Sequence, residues 1–481
     1  MRADVILSPA HFLEHGLKTD LPYLREVETF WETEGRAIST AVDQAGTPWL
    51  KQFDRFGQRI DHIDYPPDYW RMLRQGYRAG ALWRGFENKF TESFLLGYVT
   101  SFYDPGLYCP YTVSFSTAAV IDKYAAPDIR ERFLPPMLRH DDTVWQGATW
   151  MTEARGGSDL GATVETVAQP DGAAWTLTGD KYFCSNVGAE VAVVAARPAG
   201  APAGVRGLAL FVVPRLRADG SLNYHVRRLK DKIATRSVPT GEVELRNSEA
   251  YLLGEPGQGI YHIMEVLNLS RVCNNMGSVA LTHRALAEAL TFAQEREVFG
   301  KKLVDQPLMR KQFEDHVEAL RISFCLAWES ACMAAEVWRE PAPQYSLRFH
   351  LFRLITHLAK YWTAELAVQT AKWSMEVNGG LGTLAEFGVE RLLREAMILD
   401  IWEGPPHRQI LDGIEVMERK GAHKMLVDHL APYDDDEGEP LANRIDLYLT
   451  LPQDEKEANA GELFHDVAAF AGRALKRKYV G

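Results

Sequence analysis

The chain has 481 residues, 46% hydrophobic and 25% charged, a length for several packed domains and a balance that excludes a disordered, fibrous or disulfide-scaffolded protein. Lys and Arg number 53 against 65 Asp and Glu, a formal net charge of -12, which excludes a uniformly basic nucleic-acid binder and leaves room only for a local basic patch. Five cysteines, Cys109, Cys184, Cys273, Cys325 and Cys332, are odd in number, have no close CxxC pair and sit in apolar surroundings, so buried free thiols in a reducing compartment fit better than a metal site or disulfides.

The opening MRADVILSPAHFLEHGLKTD lacks the basic stretch and long apolar run of a signal peptide, and no run approaches about 18 uninterrupted apolar residues, so the sequence predicts a cytoplasmic protein without a membrane span. Residues 1–145 read as a helical domain, with aromatic and aliphatic side chains at three-to-four spacing, as in Tyr69, Trp70, Leu73, Tyr77 and Leu82. Over 146–260 the texture changes to short β-favouring segments, AWTLTGDKYFCSN, AEVAVVAARP, GLALFVVP and GEVELRNSEAYLL, split by Gly and Pro and closed by GEPGQG. A small β-barrel or sandwich is predicted there. Residues 261–430 return to helices of about 25 to 35 residues, broken near Gly300, Pro341 and Gly380 and apolar round much of their circumference, a bundle pattern suited to packing against other subunits. From 431 to 481 comes an acidic tail: Leu426 to Gly481 hold 12 acidic and 6 basic residues. Its DDDEGEP string reads as a disordered or solvated connector. The last stretch puts Val467, Phe470, Ala471, Ala474 and Leu475 on one helical face and Arg473, Lys476 and Arg477 on the other, a docking helix with membrane or nucleic-acid contact as the alternative.

Four strings mark the joints between these blocks: Met151-Thr-Glu-Ala-Arg-Gly-Gly-Ser-Asp159, Gly179-Asp-Lys-Tyr-Phe-Cys-Ser-Asn186, Glu295-Arg-Glu-Val-Phe-Gly300 and Asn378-Gly-Gly-Leu-Gly382. In this order and spacing they resemble the acyl-CoA dehydrogenase superfamily over most of the chain. The string LKQFDRFGQRID from Leu50 to Asp61 and Trp402-Glu403-Gly404 are similar to its AidB-type branch. The resemblance implies an α+β fold of N-terminal helical domain, middle β domain and C-terminal long-helix bundle. It further implies FAD as cofactor, a homotetramer, an acyl thioester substrate carried by CoA or an acyl carrier protein, and an acceptor such as electron transfer flavoprotein.

Each candidate residue has an ordinary reading beside the implied one. Met151, Thr152, Gly157 and Ser158 form a polar turn; an isoalloxazine edge needs hydroxyls and close backbone, which Thr and Gly-Gly-Ser supply. Phe183 and Ser185 are alternating strand positions that the resemblance sets against the flavin. Arg296 alone would be a solvated helix end, and its implied role, with Phe299, is to reach a neighbouring subunit's flavin, where a guanidinium suits a pyrophosphate. Glu376, Gly379 and Gly380 match the place where the family holds the adenosine half. Trp402 and His407 are implied flavin contacts, and Arg271 is implied near the acyl thioester. No metal site is expected.

Glu403 is the implied base. Removing an α-proton while the β-hydride leaves for the flavin needs a carboxylate in an apolar pocket, where burial raises its pKa. The alternative base position that the resemblance implies for some branched-chain and long-chain members, Ser270 just before Arg271, is not acidic. Pro405, Pro406, His407 and Arg408 depart from the family's hydroxyl-bearing continuation of this string and remove a flavin hydrogen bond. Two other readings stay open: a flavin oxidase or monooxygenase on the same fold, and an AidB-like DNA-associated protective flavoprotein, for which the basic cluster from Arg473 to Lys478 is the clearest candidate surface.

Overall fold

The computed structural model describes residues 3–480. The first helices, α1 (Pro9–Leu17) and α2 (Pro22–Phe30), each open on proline, whose missing N–H costs nothing in a first turn. A π-turn over Trp31–Gly35 runs into α3 (Arg36–Ala45). A hairpin follows, β1 (Trp49–Phe53) and β2 (Arg59–Asp64), then α4 (Tyr69–Ala79), α5 (Phe90–Tyr103), α6 (Pro105–Tyr124) and α7 (Pro127–Met137). Almost every side chain of α5 and α6 is buried. Asp104 between them caps α6, its Oδ1 accepting Leu107 N–H at 2.9 Å.

The hairpin corrects the helix-and-loop reading of this region. Its tie to the rest is both apolar and polar: Ile63 is buried in the β domain's core with Leu50 packed against it, Gln52 Nε2 donates to the carbonyls of Val226 (3.2 Å) and Arg227 (3.0 Å), and buried Asp61 accepts Val226 N–H at 2.9 Å. It therefore belongs structurally to the β domain as much as to the helices around it.

That domain contains β3 (Gly147–Trp150), β4 (Val167–Asp171), β5 (Ala174–Ser185), β6 (Val191–Pro198), β7 (Ala209–Pro214), β8 (His225–Leu229) and β9 (Thr240–Leu253). Pairing runs β6-β4-β5-β9-β7 and returns to β6, so the path closes on itself, with β3 on β6 and β8 on β9. β7 is buried along its whole length and β6 along all but its end because both faces are covered: Val191, Val193, Leu210 and Val212 join the core of the helical domains, while Ala192, Val194, Phe211 and Val213 fill the β domain's own core, so a continuous Val/Ala run replaces alternation.

Three long helices form the bundle, α8 (Gly259–Glu295), α9 (Pro307–Val337) and α10 (Leu347–Asn378). A two-residue-per-strand hairpin, β10 (Glu297–Val298) and β11 (Lys301–Lys302), joins the first two. Then come α11 (Val389–Ile401), α12 (Pro406–Lys420) and α13 (Ala422–Leu430).

The tail is ordered, a second correction. Asp434 accepts the N–H groups of Glu437 (3.0 Å) and Gly438 (2.8 Å), which starts α14 (Gly438–Leu449), and α15 (Gln453–Val480) follows. DDDEGEP is thus a helix-capping turn rather than a disordered connector. The apolar face of α15 is buried as its pattern predicts, and its basic face is spent internally: Arg473 pairs with Glu437, Lys476 with Glu318, Arg477 with Asp435 and Lys478 with Glu329. All five cysteines are free, four of them buried. Among the described residues no helix is long and apolar enough to cross a membrane, and no cluster of His, Cys, Asp or Glu could hold a metal ion.

Candidate active site

α11 ends at Ile401, and the chain turns through Trp402, Glu403 and Gly404 into α12. Glu403 is left-handed, φ 59°, and Gly404 follows at φ 102°. For a non-glycine residue this conformation costs on the order of 1 kcal/mol, so the surroundings must hold it. Three hydrogen bonds do so. Arg271 Nε donates to Glu403 O at 3.0 Å, and Gln409 Nε2 donates to Glu403 O at 3.0 Å and Gly404 O at 2.8 Å. Gln409 is fixed in turn by His357, whose Nδ1 lies 2.9 Å from Gln409 Oε1. Burial drives the His357 pKa down to about 3, so the ring is neutral and Nδ1 is the donor. A Cβ on Gly404 would stand 2.7 Å from Gln409 Nε2, which is why glycine is needed there. Pro406 occupies the first turn of α12, so the prolines that replace the anticipated hydroxyls act as the helix start.

The Glu403 side chain keeps some exposure, but its Oε2 is buried with no hydrogen-bond partner. Burial pushes its pKa up to about 7, against the pull of Arg271 and Lys360. Both cations are buried. Lys360 Nζ donates to Leu399 O (2.8 Å) and Asp400 O (3.0 Å), a cation on the negative end of α11, and burial lowers its pKa to about 8. Arg271 also faces Asn268 Oδ1 at 3.3 Å and Asp412 at 3.5 Å. Trp402 Nε1 bonds Asn274 Oδ1, and its ring packs on Cys109, Val113 and Val238.

Cys109 joins the two halves of the site. Its thiol is pushed up to about 12 by burial first, countered by Lys232, raised by the charge of Glu403 and lowered by the Ser185 hydroxyl on β5. The base loop and the strand assigned to the flavin therefore flank one side chain.

The loop after β3 is tethered to that strand. Buried Glu153 pairs with buried Lys181 at 2.7 Å and also accepts Thr166 Oγ1 (2.7 Å) and Glu165 N–H (2.7 Å), while Tyr182 N donates to Thr152 O at 3.0 Å. Met151 is buried and Thr152 half-buried. A Cβ on Gly157 would meet Thr152 Oγ1 at 2.5 Å, so this turn requires glycine for close approach. Ser158 is exposed, as is His407 on α12, and the charge of Asp159 is felt by Arg408. Phe183 is 55% exposed, edge-on to Tyr182, with the Lys230 ammonium 5.0 Å from its ring centroid.

The structure thus brings Ser185, Trp402, Glu403 and Arg271 towards one joint between the β domain and the bundle, and ties Thr152 to the strand that carries Ser185 through Tyr182. Arg271, expected at the acyl thioester, spends its Nε on the base loop. The remaining candidates stand on exposed turns of the bundle. Arg296 follows α8 in the open, Phe299 is 98% exposed at the tip of the β10–β11 turn, and Glu376 pairs with Lys372. Around Gly379 and Gly380 a Cβ would meet nothing within 4 Å, room for a group to lie on the backbone. Sequence reasoning missed Gln409, His357, Lys360, Asn274 and Cys109.

A flavin suits this donor set. Two hydroxyl-bearing side chains, Thr152 and Ser185, retain access, an exposed aromatic lies beside them on the same strand, and a buried carboxylate oxygen without a partner faces the same joint.

Comparison with known proteins agrees with this architecture. Residues 257–417 match the acyl-CoA dehydrogenase C-terminal domain, 148–248 its middle domain and 23–142 the adaptive response protein AidB N-terminal domain. The putative acyl-CoA dehydrogenase AidB of Escherichia coli is 29% identical over 406 residues, 79% of this chain and 71% of its own. Among solved structures, the apo form of Bd2924 aligns with a TM-score of 0.88 at 28% identity, covering 100% of this chain and 96% of that one. Caenorhabditis elegans ACDH-11, solved with C11-CoA, aligns at 0.83 and 23% identity over 99% and 87%. An acyl-CoA dehydrogenase from Bacillus anthracis, complexed with FAD, shares the fold at 0.75 and 17% identity over 99% and 82%.

Proposed function

The chain belongs to the acyl-CoA dehydrogenase superfamily, within its AidB-type branch, and from that premise we propose that it is an FAD-dependent acyl-thioester dehydrogenase with Glu403 as the α-proton base. One observation carries the reading: a carboxylate oxygen with no partner, raised to the operating pH and held on a clamped turn, shares Cys109 with the flavin-side Ser185. Bound FAD supplies the acceptor for the β-hydride. Glu403 takes the α-proton on its side-chain carboxylate, and its backbone N–H is the donor assigned to the thioester carbonyl, where negative charge develops. Thr152, Ser158 and Ser185 hold the polar edge of the flavin, with Met151, Gly157, Phe183, Trp402 and His407 around it. Arg296, Phe299, Glu376, Gly379 and Gly380 complete the cofactor site of a neighbouring subunit. Exposed Phe299, Leu381, Leu384, Phe387, Met397 and Ile401 supply the apolar surface that such an assembly, most simply a homotetramer, would bury. An external acceptor of the electron transfer flavoprotein kind then reoxidises the enzyme in the cytoplasm. The DNA-associated reading loses its candidate surface, because every cation from Arg473 to Lys478 is already paired with a carboxylate.

The test is anaerobic mixing of the purified protein with a panel of acyl-CoA and acyl-carrier-protein thioesters, followed by flavin absorbance. Bleaching by one thioester class supports the proposal. FAD-loaded protein that none of them reduces would overturn it.

A further inference from the structure

The segment between β8 and β9 is part of neither the loop that carries the base nor the strand assigned to the flavin, yet with the first residue of β9 it reaches both. Lys232 folds this segment around its ammonium: Nζ lies 2.7 Å from Thr235 O, 3.0 Å from Val238 O, 3.0 Å from Thr235 Oγ1 and 3.1 Å from Thr240 Oγ1. Thr235 is left-handed at φ 52°, a conformation that its surroundings must impose. The loop is secured outward as well. Thr235 N donates to buried Glu395 Oε2 at 3.0 Å, and Ser237 Oγ donates to Asp104 Oδ1 at 2.9 Å. Arg391, one turn before Glu395 on α11, pairs with Asp104 (3.3 Å) and Glu395 (3.4 Å).

Both ends of the catalytic geometry hang on this loop. Thr240 stands opposite Ser185 in the β5–β9 register, with their hydroxyls 3.4 Å apart, and Val238 belongs with Cys109 and Val113 to the small apolar cluster on which Trp402, the residue before Glu403, packs. We propose that Lys232 is a positioning residue that, through Thr240 and Val238, fixes the spacing between the flavin-side strand and the base loop. Among the described residues the ammonium contacts no carboxylate; its bonds go to neutral oxygens, so a buried charge is satisfied by the carbonyls and hydroxyls of the turn it orders. This inference rests on the proposed flavin site.

The decisive variant is Thr240→Val, which keeps volume and removes the hydroxyl between Lys232 and Ser185; Thr240→Ser restores that hydroxyl, and Lys232→Met removes the ammonium. Apoprotein of each is titrated with FAD, and the visible spectrum and midpoint potential of the bound flavin are recorded beside Tm. Thr240→Val and Lys232→Met are expected to weaken FAD by about tenfold, the size of one lost hydrogen bond to a charged group, and to shift the flavin bands and potential, while Thr240→Ser stays near the parent. A Thr240→Val protein with parental FAD affinity, spectrum and potential overturns the inference and leaves the dehydrogenase reading standing. A parent that binds no FAD overturns both.

Discussion

Glu403 is placed where a carboxylate is uncomfortable, and its value as a base follows from that discomfort. Its folded pKa, about 7, lies above the ordinary 4.5, so the rate of flavin reduction should rise with pH through about 7, as stopped-flow reduction across pH 5.5 to 8.5 would show. Glu403→Gln should retain FAD and lose at least about a hundredfold in that rate, the low end of what a general base contributes; parental rates in the variant would refute the base. The same shift has a sign for stability. A carboxyl whose folded pKa is raised is most favourable while protonated, so the parent loses stability as pH climbs from about 4.5 to 7. After a discount for the residue's partial exposure this is about 2 kcal/mol. Glu403→Gln should therefore match the parent in thermal unfolding at pH 4 and exceed its Tm at pH 8. Gln409→Leu removes two of the three bonds on the left-handed turn and should lower kcat more than it raises KM, by about tenfold, with FAD retained. Glu403 was legible in the Trp402-Glu403-Gly404 string. Its clamp was not: His357 and Arg271 lie in helices whose apolar neighbours make any polar residue look like a satisfied core group, and their partners become known only when α8, α10 and α12 are packed.

Among elements, α15 is held by its buried apolar face and by one buried carboxylate. Glu329 of α9 accepts from His429 (2.7 Å), Lys478 (2.7 Å) and Tyr479 (2.6 Å). Burial raises its pKa, but these bonds outweigh burial and hold it at about 2. For a carboxyl with a depressed folded pKa, the stabilisation is fully present above about 4.5 and fades as pH falls towards 2, roughly 3 kcal/mol in all. Acid should therefore loosen α15 before the bundle, seen as early exchange of its amides, and Glu329→Gln should remove that early step while weakening docking at pH 7. The amphipathic face of this helix was readable from spacing alone, whereas the destination of its cations was not, because Glu318 and Glu329 lie roughly 150 residues earlier. The β1–β2 hairpin was missed for a different reason. Trp49, Lys51 and Phe53 alternate as a strand should, but Trp49 and Phe53 are exposed, so a pattern normally read as one buried face was not there to be found.

For the whole molecule, the order helical domain, closed β barrel and long-helix bundle was visible in texture and in four short strings, since each depends on local composition. The quaternary arrangement is where the exposed residues acquire a purpose. Arg296→Ala should lower FAD content with little change in Tm, measured by absorbance ratio and thermal scan on the same sample. A monomer holding stoichiometric FAD would contradict the shared site. With a net charge of -12 and its terminal cations paired, the protein should show no salt-sensitive DNA binding that disappears on deleting residues 473–481.

The docking of α15 also has a consequence for synthesis. The helix is translated well after α9, whose mid-helix carboxylate it satisfies, so the bundle cannot close over Glu329 until Lys478 and Tyr479 have left the ribosome. A nascent or prematurely terminated polypeptide carries Glu329 without its cation and an uncovered apolar groove, a form that chaperones and proteases recognise.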